Sequence, residues 1–232
     1  MFSLIILLIT LVLLIVFKIL TSFRLLILLV LLCVIWSILP EVTKFNLIKK
    51  INLWVSFESR SGVGSEDKNT QVIQKILPRI IQKYNIKTML DCPCGDMNYM
   101  SKILPSVNIN YMGADIVNDL IVDNKQKYPN YKFMQFDVVN QKLSTYDLIV
   151  MKDLLNHLSI NNINKIISNI KNSGSTYLLL NNNKQETNGN SVLTAPFWNN
   201  INWKIDPWNL NVVEEFNSDG NDKDYVLVSI NS

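Results

Sequence analysis

Two apolar runs, residues 1–17 and 25–39, open the sequence and are separated by a short segment that carries Lys18 and Arg24. A helix needs about 20 residues to cross a bilayer core of about 30 Å, so each run reaches that length only with residues from the linker. Both runs together are too long for one span, because a helix rises about 1.5 Å per residue. We expect a tight transmembrane hairpin, or alternatively one span plus an interfacial segment.

Two other interpretations of these runs are disfavoured. A cleavable signal peptide has a basic start and a small-residue cleavage site, and neither is present. A core helix of a soluble protein has a periodic polar face, which is missing here. The positive-inside rule gives no clear orientation, because Lys18 and Arg24 between the runs are matched by Lys44, Lys49 and Lys50 after them.

From Thr70 onward, helical and strand patterns alternate, which is typical of a parallel sheet with helices on both faces. Apolar residues at helical spacing predict a helix over residues 72–84, which Pro78 is expected to kink or divide. Ser159 is a predicted N-cap. Further helices are predicted over residues 96–104, 117–128 and 160–170. Strands are predicted over residues 86–91, 109–115, 131–137, 146–151 and 176–180.

The C-terminal part has a different pattern. Residues 181–210 are rich in Asn and Trp and lack periodicity, and this stretch is too long for an ordinary connection, which indicates a functional loop or lid. Its three tryptophans either form a sugar- or lipid-facing rim or pack as core. They are Trp198, Trp203 and Trp208. Residues 211–216 and 224–230 predict two final strands joined by a turn-rich hairpin.

Three predicted strands end in an acidic residue: Asp91, Asp115 and Asp137. The carboxyl ends of parallel strands meet at one edge of the sheet, so these carboxylates are expected to converge on one crevice. Asp115 follows Asp91 by 24 residues, a spacing suited to a carboxylate that accepts both hydroxyls of a ribose. The alternative for each acid is a carboxylate that caps a helix or a turn.

The segment Leu90-Asp91-Cys92-Pro93-Cys94-Gly95-Asp96 follows the first predicted strand. With five alternating units and a terminal hairpin, the chain resembles the class I S-adenosylmethionine-dependent methyltransferases. The resemblance implies a Rossmann-like, doubly wound α/β sheet of seven strands, mostly parallel, with the last hairpin antiparallel. Pro93 stands where that family has its first glycine and only Gly95 remains, which disfavours a pyrophosphate ligand such as NAD.

The resemblance implies S-adenosyl-L-methionine as cofactor. The turn with Asp91 and Gly95 would approach its methionine part, Asp115 would bind its ribose, and Asp137 with Val138 would lie near its adenine. Residues 57–65, Phe57-Glu58-Ser59-Arg60-Ser61-Gly62-Val63-Gly64-Ser65, resemble an element of a bacterial and viral branch whose first motif is similar to D-x-P-C-G-D. This implies a segment that closes over the cofactor, with Arg60 at its carboxylate; the alternative is a flexible linker.

Residues 150–157, Val150-Met151-Lys152-Asp153-Leu154-Leu155-Asn156-His157, end the fourth strand, where the family presents the methyl acceptor. The N-P-P-Y pattern of amino-group methyltransferases is missing, and the Pro-Cys pair lies in the first motif, so an oxygen acceptor is favoured over cytosine. Asp153 and His157 are the candidate catalytic residues. His157 is either a base near neutral pH or structural, and the i,i+4 pair could instead fasten a helix start.

The net charge and the cysteine content argue against some classes of binding partner. The net charge is +3, and the first 40 residues contribute two of these charges, so the remainder is nearly neutral and gives no signal for nucleic acid. Three cysteines make no disulfide framework, and the Cys92–Cys94 pair lacks a second ligand cluster, so no metal site is predicted. Reduced thiols and the expected cofactor favour a domain that faces the cytosol.

We therefore predict a transmembrane anchor over residues 1–40, a linker and cofactor-covering segment over residues 41–69, and a methyltransferase-like domain over residues 70–232. The predicted protein is an integral membrane methyltransferase that acts on a small-molecule, glycan or lipid acceptor. One alternative is a non-catalytic, membrane-tethered binding protein on a degenerate methyltransferase fold. A nucleotide-dependent oxidoreductase is the other, and the missing glycines weaken it.

Overall fold

The computed structural model describes residue 18 and residues 25–188, 197–218 and 223–230. The chain divides into two units, Met1–Lys44 and Phe45–Ser232. In the first unit, helix α1 (Leu25–Ile38) exposes most of its apolar side chains. No single helix among the described residues is long and apolar enough to cross a membrane, and α1 meets that requirement only as a bent pair with helix α2 (Glu41–Ile51). Residues 1–17, the first predicted run, lie outside the described residues.

The second unit contains a seven-stranded sheet of order β3-β2-β1-β4-β5-β7-β6. Strands β1 to β5 are parallel where they pair, and β7 is antiparallel to both β5 and β6, so the predicted parallel sheet with a C-terminal antiparallel hairpin is confirmed. The strands are β1 Thr88–Asp91, β2 Asn110–Asp115, β3 Lys132–Gln135, β4 Leu148–Met151, β5 Tyr177–Asn182, β6 Val212–Phe216 and β7 Asp224–Ser229.

Apolar positions at helical spacing produce the helices that cover this sheet. Helix α3 is one continuous helix that contains Pro78, so the proline does not divide it. Ser159 caps α6 as predicted, because its side chain accepts a hydrogen bond from the backbone amide of Asn162. The helices are α3 Gln71–Lys83, α4 Met100–Ile103, α5 Asn118–Lys127 and α6 Ile160–Asn172.

Helix α4 is much shorter than the predicted helix over residues 96–104. The side chains of Asp96 and Asn98 bond to an upstream segment instead of facing solvent from a helix: Ser59 Oγ donates to Asp96 Oδ1 at 2.9 Å, and Asn98 Nδ2 donates to the Ser65 carbonyl at 2.8 Å. The residues before α4 therefore form turns, because their polar groups are committed to a tertiary contact that helical periodicity cannot reveal.

Two hydrophobic layers enclose the sheet. One contains the buried faces of α3 and α4, and the other contains that of α6. Trp203, from the Asn- and Trp-rich stretch, is buried in the second layer, where its indole nitrogen donates to the Asn181 carbonyl at 2.9 Å. Trp208 packs on Trp203 with ring centroids 5.0 Å apart. The described part of this stretch is therefore partly core, and residues 189–196 lie outside the described residues.

Strand β1 ends in a carboxylate that the core encloses completely. Asp91 is fully buried, and the Tyr111 hydroxyl from β2 donates to its Oδ2 at 2.9 Å. Its Oδ1 has no hydrogen-bond partner among the described residues. Burial penalises the charged form and raises the pKa of Asp91 to about 7, although the Tyr111 hydrogen bond opposes this effect.

Asp91→Asn should remove a pH dependence of folding. Between pH 3.8 and about 7 the native chain holds a proton on Asp91 that the unfolded chain lacks, so the free energy of unfolding falls as pH rises through this window. The size-matched amide carries no charge, so at pH 8 we expect it to be more stable than the parent by about 2–4 kcal/mol. Urea unfolding at several pH values measures this difference.

Asp147→Asn is the control with the opposite sign. Although burial opposes it, hydrogen bonds from the backbone amides of Lys87 and Thr88, at 2.8 and 2.9 Å, lower the pKa of Asp147. This carboxylate should contribute stability above pH 3.8 that is lost on acidification. If Asp91→Asn lost stability in the same way, the Asp91 carboxylate would be a favourable charge and the argument from burial would be wrong.

Candidate active site

A cavity of about 310 Å³ opens at the carboxyl edge of the parallel strands. It lies beside the ends of β1, β2 and β4, where the strand order reverses, which is the position at which open α/β sheets bind ligands. Residues 60–65 cover it from outside. Its lining includes Trp54, Arg60, Gly64, Cys94, Gly95, Asp115, Val117, Leu120, Lys152, Asp153, His157, Trp198 and Lys223.

The turn after β1 requires glycine at position 95. Gly95 has a φ of +53°, in the left-handed region that glycine adopts without strain. A Cβ atom at this position would lie 2.1 Å from Ser61 Oγ. Gly95, the one glycine in the turn after β1, is therefore the residue against which Ser61 packs.

Residues 57–65, here called the covering segment, are clamped onto this turn by Asp96. The Asp96 carboxylate accepts hydrogen bonds from Ser59 Oγ at 2.9 Å and from the backbone amide of Arg60 at 2.6 Å. In return, the Asp96 amide donates to Ser61 Oγ at 3.0 Å. The segment is therefore held against the turn after β1 and lines the cavity, and its closure over a bound cofactor stays a prediction.

Asp115, at the end of β2, lines the cavity and is nearly fully buried. One carboxylate oxygen accepts from the Gly95 amide at 3.1 Å and the other from the Val117 amide at 2.9 Å. Burial raises the pKa of Asp115 to about 6, and these two amides oppose that rise. Because each carboxylate oxygen has more than one acceptor position, both can still accept a hydroxyl from a ligand.

The other strand-end acids do not line the cavity. Asp91 lies buried beneath the turn, bonded to Tyr111. Asp137 accepts from the Val139 amide at 3.0 Å and from Asn140 Nδ2 at 2.8 Å, so it caps the turn after β3, and its neighbour Val138 is buried in the core. The proposed adenine contact of Asp137 and Val138 therefore stays a prediction. Among the predicted site residues, the cavity brings together Arg60, Gly95, Asp115, Asp153 and His157.

Asp153, after β4, anchors a compact charge cluster. Its φ is +59°, a strained value for a residue other than glycine. The Oδ2 atom pairs with Lys152 Nζ at 2.6 Å and with Lys223 Nζ, and Lys152 also donates to the Gly64 carbonyl at 2.7 Å. Although burial opposes the shift, the two ammonium groups lower the pKa of Asp153 to about 2. Asp153 is therefore a permanent anion and a weak base.

His157 is buried in an aromatic recess of the cavity. Its ring lies 4.9 Å from that of Trp54 and 5.3 Å from that of Trp198. Nδ1 is 2.6 Å from the Phe197 carbonyl oxygen, which only accepts, so Nδ1 carries the proton and Nε2 has the free lone pair. Burial lowers the pKa of His157 below 6.5, so the imidazole is neutral at pH 7.

The sequence did not identify three important members of this site. Lys223 precedes β7, is 70 residues away from Asp153 in the chain, and has no local signal that relates the two. Trp54 lies in the predicted linker, where no periodicity marks it. Lys152 lies in the segment of residues 150–157, but no sequence pattern shows that its ammonium group pairs with Asp153 and donates to the Gly64 carbonyl.

No family model matches this chain, and no curated protein is significantly similar to it in sequence. Solved structures are similar in fold. Magnesium protoporphyrin IX methyltransferase from Synechocystis, determined with bound S-adenosylhomocysteine, aligns with a TM-score of 0.56 at 13% identity, over 82% of this chain and 97% of that chain. A S-adenosylmethionine-dependent methyltransferase from Clostridium acetobutylicum gives 0.53 at 13%, over 80% and 96%.

The N-methyltransferase NodS from Bradyrhizobium japonicum aligns with a TM-score of 0.53 at 14% identity, over 72% of this chain and 99% of that chain. The alignments cover nearly the whole of each neighbour, so the similarity extends over a complete domain. At such low identities it is a similarity of fold. The chain therefore has the fold of the class I S-adenosylmethionine-dependent methyltransferases, with the mostly parallel seven-stranded sheet and antiparallel terminal hairpin that were predicted.

Proposed function

We propose that this protein is a membrane-anchored methyltransferase that uses S-adenosyl-L-methionine. The observation that carries the proposal is the convergence of Gly95 and Asp115 in one covered cavity at the strand-order reversal of this fold. Both residues come from the two strand ends at which a nucleoside with an amino-acid tail is expected to bind.

The residues present fit the cofactor. Asp115 offers acceptor positions for the ribose hydroxyls, while Val117 and Leu120 provide an apolar wall beside it for the adenine. Gly95 lets the backbone approach the methionine part, and exposed Arg60 lies at the cavity for its carboxylate. When bound, S-adenosyl-L-methionine supplies a methyl group on a positively charged sulfur.

The residues that follow β4, where the methyl acceptor is proposed to bind, favour removal of a proton from a hydroxyl. His157 has a neutral ring with a basic Nε2, held in place by the Phe197 carbonyl and two tryptophans. Asp153 has too low a pKa to serve as a base, so its proposed role is to hold Lys152 and Lys223 in position. An oxygen acceptor oriented toward the transferred methyl group fits these residues, and orientation itself supplies much of the rate.

The proposed membrane anchor depends on the sequence. The first 40 residues contain no acidic residue and two long apolar runs, and helix α1 exposes its apolar side chains. Exposed apolar surface of this extent in water is unfavourable, so a bilayer or another apolar partner is needed to cover it. The proposed orientation places the second unit in the cytosol, where the cofactor is available.

Asp115→Asn should weaken S-adenosylmethionine binding by about ten- to a hundredfold, because hydrogen bonds to a charged group contribute about 1.5–3 kcal/mol. In the parent chain, affinity should also fall as pH is lowered through about 6, where Asp115 becomes protonated, and the variant should lack this dependence. Isothermal titration calorimetry measures both effects.

Asp123→Asn, an exposed acid on α5, is the matched control and should leave cofactor affinity unchanged. Asp137→Asn tests the predicted adenine contact separately, since an unchanged affinity would restrict Asp137 to its turn. Binding of NAD in place of S-adenosylmethionine by the parent chain would refute the proposed activity.

His157→Gln should lower turnover by roughly 10²–10⁴, the usual contribution of general acid–base catalysis, while cofactor affinity stays nearly constant. In the parent chain, turnover should decrease on acidification only at a pH lower than the ordinary histidine pKa, because burial lowers the pKa of His157 and the protonated ring no longer has a free Nε2. The measurement is methyl transfer from labelled cofactor, with affinity determined on the same preparation.

Asp153→Asn is the comparison for His157→Gln. It should lower stability, because two lysines lose their shared counter-ion. It leaves His157, the proposed base for the acceptor's proton, in place. If His157→Gln instead lost stability but kept full turnover per folded molecule, the histidine would be structural and the reaction would depend on orientation alone.

The full chain should remain in the membrane fraction after alkaline and high-salt washing, whereas a chain that begins at Glu41 should lose that resistance. Apolar spans are held by the hydrophobic effect, which salt and high pH do not weaken. Immunoblots of the washed fractions measure retention. Release of the full chain by salt alone would mean that residues 1–40 do not insert.

A further inference from the structure

Exposed apolar residues are concentrated in the stretch of chain from residue 51 to residue 63, which leads into the cavity wall and is here called the apolar ridge. Its members are Ile51, Leu53, Val55, Phe57 and Val63, all of which are exposed. The Phe57 side chain is 101% exposed and that of Val55 is 66% exposed. A fully exposed phenylalanine among four other exposed apolar residues marks an interaction surface, because single exposed apolar residues are ordinary but clusters are not.

The local structure holds these side chains outward. Val55 has a φ of +47°, which is unfavourable for a β-branched residue. Its amide donates to the Asn52 carbonyl at 2.9 Å, and Asn52 Nδ2 donates to the Ser56 carbonyl at 3.1 Å. Ser56 is buried and donates to Glu66 at 2.9 Å. The backbone at Val55 is therefore strained and is held in a turn by hydrogen bonds. This turn leaves the apolar side chains of the ridge exposed.

The charges around the ridge identify its partner. From residue 45 to residue 63 the basic residues are Lys49, Lys50 and Arg60, and Glu58 is the one acidic residue. Lys49 is paired with Asp119 and Asp123 at 3.7 and 3.6 Å, so the basic residues exposed beside the ridge are Lys50 and Arg60. The Glu58 carboxylate is occupied by hydrogen bonds from the Asp67 amide and Asn98 Nδ2. Apolar side chains flanked by basic residues match a bilayer that contains anionic lipids, whose headgroups attract lysine and arginine.

Chain length supports the same partner. The second apolar run ends at Leu39, and the ridge begins 12 residues later at Ile51. Even a fully extended chain spans at most about 3.6 Å per residue, so the ridge can lie no more than about 43 Å along the chain from the end of that run. If residues 1–40 insert, the ridge is confined to the neighbourhood of the membrane surface.

We propose that the apolar ridge docks on an anionic lipid bilayer and that the methyl acceptor is an amphiphile of that bilayer. Val63 belongs to the ridge and also lines the cavity, and Trp54, which lines it too, packs beside Gly62. A bilayer against the ridge places the mouth of the cavity at the level of the headgroups. The acceptor part of this inference rests on the proposed methyltransferase activity, whereas the docking part draws on the proposed membrane anchor and not on that activity.

The test uses the full chain in liposomes. Cys33 is exposed whereas Cys92 and Cys94 are buried, so Cys33→Ser leaves a background without an accessible thiol among the described residues. In this background a polarity-sensitive fluorophore is attached through Phe57→Cys or, separately, Val55→Cys. The liposomes contain phosphatidylcholine with or without phosphatidylglycerol, and a nitroxide on a shallow acyl carbon.

We expect the probes at positions 55 and 57 to shift to the blue and to be quenched by the nitroxide. The matched control is Val213→Cys, because Val213 is also an exposed apolar residue, 43% exposed, on the far edge strand β6. Its probe should remain unquenched. Lys50→Gln should lower the ratio of docked to free domain about fivefold in the anionic liposomes and leave it unchanged in phosphatidylcholine.

Absence of quenching at both ridge positions, or equal quenching at position 213, overturns the docking proposal. A blue shift that grows with protein concentration in the absence of lipid also overturns it, because a second copy of the chain then covers the ridge. Cofactor titration in the same liposomes separates the two proposals: docking without cofactor binding refutes the proposed function, and cofactor binding without docking refutes the ridge. Methyl label found in the lipid extract supports the acceptor class, and label found in the aqueous fraction alone overturns it.

Discussion

The clamp of Asp96 on the covering segment is the interaction on which the site depends. Ser59, Arg60 and Ser61 bond to Asp96, and Arg60 and Ser61 line the cavity beside Gly95. Without this contact, residues 59–61 would lose their hydrogen bonds to the turn after β1. The clamp also explains why α4 begins late, because Asp96 bonds outward to the covering segment and not within a helix.

Three aspartates at or just beyond the ends of neighbouring strands, two of them buried and one half-buried, show how environment decides the chemistry of one residue type. Asp91 accepts from a tyrosine hydroxyl and forms no ion pair with the described residues, and its pKa rises to about 7. Asp115 has two backbone amides, and its pKa rises to about 6. Asp153 has two lysines, and its pKa falls to about 2. The first is a cost to the folded state, the second a hydrogen-bond acceptor, and the third the fixed centre of an ion cluster.

The ion cluster around Asp153 links the part of the cavity beside His157 to the covering segment and to the last strand. Lys152 connects Asp153 to the Gly64 carbonyl in the covering segment, and Lys223 connects it to the final strand. Lys223 also lies 4.4 Å above the Trp198 ring, which packs on His157. A substitution at the end of the fourth strand is therefore expected to alter the covering segment and the aromatic recess together, because both are linked to the Asp153 carboxylate.

The sequence by itself determined the order of strands and helices, the antiparallel hairpin, and the acids at the strand ends, because these depend on short-range periodicity and on the fact that parallel strands end at one edge. It also indicated Gly95, Asp115 and His157 as site residues. Only the tertiary structure decided that Asp137 caps a turn, that Lys223 meets Asp153, that Trp203 is core, and that α4 is short. Each of these depends on a contact between residues far apart in the chain or on competition for one hydrogen bond, and neither leaves a periodic pattern that a sequence can display.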